Sequence, residues 1–78
     1  MSHPTISTEI RLQLLRASDR LRAAAIELDA AIAALDEGNT WDHEVGSARI
    51  NASVASDQMQ TARGMAMVAG LASVEAGQ

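Results

Sequence analysis

The chain has 78 residues, 47% of them apolar, with Trp41 as its sole aromatic residue, which bounds it to one small domain. The absence of Cys excludes disulfide staples, Cys zinc sites and thiol catalysis, and a core this short supplies only about 3–5 kcal/mol, so self-association is the remaining aid to folding. The net charge of −4, with six Arg and no Lys, argues against duplex nucleic acid, which needs a basic face, and one aromatic side chain serves base stacking poorly.

In chain order, the opening Met1-Ser2-His3-Pro4 has neither a basic nor an apolar segment of the secretory kind, so the expectation is an intracellular, cytoplasmic protein. Residues 7–37 then read as one long helix. They contain no Gly or Pro and are rich in Ala, Leu, Arg and Glu, and Pro4 lies where Pro is tolerated at a helix start. Gly38-Asn39-Thr40 breaks the run. Gly38 suits the left-handed position after a helix, and Asn39 or Thr40 can cap the next one, with Asp42 and Glu44 in its favourable first turn. A second helix follows over residues 41–75, with Ser47 as an alternative, later cap. So short a connection makes the pair antiparallel: an all-α helical hairpin in a single domain, 1–78. No stretch reaches the roughly 18 apolar residues of a membrane span.

The apolar residues follow a heptad. Leu14, Leu21, Leu28 and Leu35 form one row of the first helix, and Ile10, Ala17, Ala24 and Ala31 the other. In the second helix the rows are Trp41, Ala48, Ala55, Ala62, Ala69 and Ala76, and Val45, Ala52, Met59, Ala66 and Ser73. Small seam residues allow close approach of two helix axes. Further apolar residues, among them Leu12, Leu15, Ile26, Ile32, Ile50, Val54 and Val74, lie off the seam, more than a lone hairpin can bury. They predict a homo-oligomeric bundle, a four-helix dimer or larger. Arg11, Arg16, Arg20 and Arg22 crowd the front of the first helix, and Asp29, Asp36, Glu37, Asp42 and Glu44 crowd the turn. Either these are solvated faces, or a partner packed head-to-tail sets its Arg cluster on the acidic end.

Chemistry is sparse. Asp42-His43-Glu44 is the only His–carboxylate cluster, and neighbours on a helix diverge too much to share a metal. No Glu-x-x-His pair, nucleophile elbow or phosphate loop is present, so no catalytic residue, metal site or cofactor is expected. Trp41 reads as a partner anchor or as a plug at the hairpin end. Residues 64–74 are apolar nearly all round. Gly64 and Gly70 suggest close backbone approach, and Met59, Met65, Met67, Val68 and Leu71 suit an oligomer or partner interface, either as core or as a groove for another helix. The basic polar face of a membrane-surface helix is absent. Arg49, Ser56 and Arg63 lie one heptad apart beside the second seam, with Asn51 and Gln58 on its other side. They are bundle rim, or they hold a small anion between subunits through Arg forks.

Two stretches carry a resemblance: Ser7-Thr8-Glu9-Ile10-x-Leu12 at the start of the first helix, and Met59-Gln60-Thr61 followed by Met65-Ala66-Met67-Val68-Ala69-Gly70-Leu71-Ala72. Here the chain resembles the phage helical-hairpin anti-CBASS and anti-Thoeris sponges. The resemblance implies a non-catalytic multimer in the host cytoplasm that sequesters a cyclic nucleotide-type immune signal between subunits. With no Tyr, Phe or Lys, ligand contact here would fall to Trp41, Arg49, Asn51, Ser56 and Arg63. The alternatives are a protein–protein interaction module that docks a partner helix, and a structural component acting through its own oligomer.

Overall fold

The computed structural model of the chain describes residues 3–70. It contains two helices, α1 (His3–Asp36) and α2 (Asp42–Val68), and no strand among those residues. The chain is therefore an all-α hairpin, as the periodicity predicts. Its first helix begins four residues earlier than residue 7, because Pro4 fits the first helical turn, where its missing N–H leaves no bond unmade.

The turn is built by Gly38. Its φ of +77° is open to Gly at little cost. The reversal lets its N–H bond the carbonyl of Leu35 at 3.1 Å while the N–H of Asn39 reaches the carbonyl of Ala34 at 2.8 Å. This pair of bonds closes α1 as a Schellman motif. The expected cap at Asn39 or Thr40 is not formed. Trp41 occupies the N-cap of α2 and supplies no side-chain bond, and Asn39 instead donates from Nδ2 to Glu37 Oε1 at 3.2 Å. The acidic first turn, with Asp42 and Glu44, is present and suits the positive end of the helix dipole. At the far end α2 stops at Val68 rather than reaching residue 75. Gly70 turns to φ +72° and bonds the carbonyl of Met67 at 3.1 Å, the same device that ends α1. Leu71, Ser73, Val74 and Ala76 lie outside the described residues.

The seam between the helices is made of alanine. The buried apolar residues among those described are Ala17, Ala24, Ala31, Ala48, Ala55 and Ala62, three from each helix at heptad spacing. Methyl groups allow close axial approach, but each buries little area, and at roughly 0.8 kcal/mol per buried carbon such a core is thin. Among the described residues no larger side chain is fully buried. The molecule measures 56 × 26 × 13 Å, so it is one helix layer thick, since a helix with side chains is about 10–12 Å across. Its radius of gyration of 16.9 Å compares with about 11–12 Å for a compact chain of this length.

Gly64 and Gly70 need correction. A Cβ built on either meets no atom of this chain within 4 Å, so the close approach expected at these two glycines does not occur within the hairpin.

Candidate interaction face

Each helix carries two rows beside its buried alanines, one three residues and one four residues further on. In a heptad these fall on opposite sides of the seam. On the +4 side, α1 presents Leu14, Leu21, Leu28 and Leu35. They remain 49%, 43%, 45% and 57% exposed although they flank the seam. From α2 the same side receives Val45, Ala52, Met59 and Ala66.

Three open apolar grooves run along this face. One, of about 420 Å³, lies between Leu14, Ala17, Leu21 and Met59, with Ser18 and Arg22 at its edge. The next, of about 350 Å³, is shared by Ile10, Leu14, Met59, Ala62 and Ala66, with Arg63 bordering it. The third, of about 270 Å³, sits near the turn among Leu28, Ile32, Leu35, Trp41 and Val45. None gathers the convergent polar groups that orient a small polar ligand. Their walls suit the side chains of another helix.

The +3 side is polar, and four of its side chains bond one another across the helices. Ser47 Oγ donates to Glu27 Oε2 at 2.7 Å, and Asn51 Nδ2 donates to Glu27 Oε1 at 2.8 Å. Arg20 Nη1 then donates to Asn51 Oδ1 at 2.9 Å. These bonds tie α1 to α2 at one register, which an alanine seam repeating every seven residues does not fix by packing alone. Two oxygens on α2, Glu44 Oε1 and Gln58 Oε1, are buried without a bond in this structure. An ion pair on α1, Arg22 to Asp19 at 3.3 Å, joins groups 74% and 76% exposed and contributes about 0–1 kcal/mol.

The structure separates the proposed ligand residues. Asn51 is committed to Glu27 and Arg20 on the polar side. Arg63 borders the Ile10–Leu14–Met59 groove, and Arg49 lies in a shallow hollow with Gly46, Ile50 and Ser53. Ser56 is exposed, and Trp41 stands by the turn, in contact with the third groove. The proposed interface residues divide as well. Met59 lies on the apolar face, half-buried Met65 shares the heptad row of Asn51 and Gln58, and Met67 and Val68 are exposed at the end of α2. His43 is exposed, and among the described residues no three His, Asp or Glu side chains are placed to share a metal. No described helix is long and apolar enough to cross a membrane.

Sequence reasoning missed the Arg20–Asn51–Glu27–Ser47 chain of bonds. Its signal was available, because Arg20 and Glu27 fall three residues after Ala17 and Ala24 and Asn51 falls three after Ala48. No protein-family model matches this chain, and neither does any curated protein or solved structure.

Proposed function

We propose that the protein is a non-catalytic binding protein that works through its Leu/Met face, by packing that face on another helical surface. One observation carries this reading: the side chains sealed between the helices are all alanines, while the Leu row and Met59 stand half-exposed along one side. A contiguous apolar strip of this kind marks an interaction surface, and covering it supplies the burial that a methyl seam cannot. Placing a charge on the face by Leu21→Glu tests it. The expected result is that the unaltered chain associates and the variant does not, measured by sedimentation and by retention on the immobilised chain. Ile26→Glu puts the same charge at a 68% exposed position outside the three grooves, and is expected to leave association intact. Equal effects of the two substitutions, or none from Leu21→Glu, overturn the reading.

A second reading, sequestration of a small anionic signal such as a cyclic nucleotide between subunits, is favoured by Arg22 and Arg63, each bordering a groove of this face. Arg forks match phosphate oxygens. Calorimetry against a panel of cyclic nucleotides decides it. Heat that weakens in Arg63→Ala without a change in oligomer size supports sequestration, and no heat with any of them at tens of micromolar overturns it.

A further inference from the structure

The Leu/Met face stands half-exposed along the described hairpin, and three properties of the chain point to what covers it. The first is area. The broad side of the hairpin measures 56 × 26 Å, well above the ~800 Å² per partner of a standard specific interface. A second hairpin offers a matching surface of the same dimensions.

The second is charge. The half of the hairpin nearer the turn, residues 24–55, carries Glu27, Asp29, Asp36, Glu37, Asp42 and Glu44 against one cation, Arg49. In the other half of the described chain, Arg11, Arg16, Arg20, Arg22 and Arg63 outnumber Glu9, Asp19 and Asp57. Two copies stacked with their turns together would bring like charge onto like charge. Reversed copies lay the acidic half of each over the Arg-rich half of the other, and potentials complementary in this way set orientation and reject the wrong pairing.

The third is the Leu ladder. Leu14, Leu21, Leu28 and Leu35 are evenly spaced, so reversing the row about its midpoint maps it onto itself. A two-fold axis lying in the interface at the level of that midpoint, running across the helices, makes an isologous contact. It sets Leu14 level with the partner's Leu35 and Leu21 level with the partner's Leu28. The same operation brings Met59, which lines a groove with Leu14, to the level at which Trp41 and Leu35 share theirs. A thioether beside an indole is a favourable pair.

From these we infer that the occupant of the Leu/Met face is a second copy of this chain, packed antiparallel with each turn over the other's open end, as a two-layer four-helix bundle. This rests on the reading of that face as the working surface. It goes further in naming the partner and its direction.

The absence of Cys makes the test clean. Leu14→Cys and Leu35→Cys chains are prepared separately, reduced, mixed and oxidised, and the disulfide-linked species are identified by mass. Antiparallel packing predicts that the linked product is the mixed pair, with little self-linkage of either chain. Self-linkage of Leu14→Cys in preference to the mixed pair overturns the orientation. Sedimentation of the unaltered chain provides a measurement free of substitution. A dimer, or a larger assembly that still yields the mixed pair, is the expected result, with its dissociation constant rising several-fold between low and high salt as the charges are screened. A chain that stays monomeric up to hundreds of micromolar overturns the second-copy proposal. In that case the face reading survives if Leu21→Glu, but not Ile26→Glu, abolishes a heterologous association. It falls as well if the two substitutions act alike.

Discussion

At Ala55 the side chain is fully enclosed between the helices, with 0% exposure, so any larger group must push α1 and α2 apart. Ala55→Leu is expected to destabilise the fold by about 1–3 kcal/mol despite adding apolar area, read as a lower urea midpoint. An unchanged midpoint would mean the seam is looser than its burial indicates. Glu27 acts differently. It accepts from both Ser47 and Asn51, and its loss leaves two half-buried donors without an acceptor. Glu27→Ala is expected to cost about 1–2 kcal/mol. A double-mutant cycle with Asn51→Ala should show coupling, and strictly additive losses would remove the network from the account. The alanine rows were legible in the sequence because burial follows the heptad directly. The Glu27 network was not, because a polar residue beside a seam has the same spacing whether it faces solvent or reaches across, and only the distance between helices decides.

The two helices owe their ends to glycine and their middles to alanine, and the glycines are not equivalent. Gly38 sits at φ +77°, where a Cβ is strained, so Gly38→Ala is expected to lower stability by about 1 kcal/mol or more. Gly64 lies inside α2 with open space where a Cβ would stand. Gly64→Ala is therefore expected to raise stability by about 0.8–1 kcal/mol, since nothing within the chain uses the gap. Chemical denaturation of the two variants side by side should give opposite signs. A loss at both positions would show that something approaches Gly64 from outside the hairpin. The element boundaries were partly legible. Gly38 announced the turn, whereas Gly70 was read through as helix because its neighbours are good helix formers. The cap was misplaced because Asn39 and Thr40 lie too early: the chain needs both residues to complete the reversal before α2 begins at Asp42.

For the whole molecule, shape and composition lead to one consequence. A slab 13 Å thick has no interior in which to place Leu, Ile or Met, so these side chains remain on its surfaces. If the proposed pairing holds, the apparent melting temperature depends on concentration, because association stabilises only the folded form. A melting temperature that climbs steadily over a hundredfold range of protein concentration is expected. A flat response would assign all of the stability to the hairpin alone and remove the need for a partner.

The two helices, the turn between them and the alanine seam were legible in the sequence, because helix propensity, a Gly-centred break and a heptad of small residues are local properties, whereas the helix ends were not. The sequence by itself also determined the charge asymmetry along the hairpin, which any antiparallel fold of this order would display. Which flank of the seam keeps its apolar side chains half-exposed emerged from the packing of the two helices. The +3 residues Arg20, Glu27 and Asn51, with Ser47 beside them, bond one another across the helices, while the +4 leucines find Ala, Val, Met and Trp41 opposite and stay half-exposed. Bonds across the helices occupy four polar side chains on one flank while the leucines on the other stay half in water, and that difference arises only when the two helices are brought together.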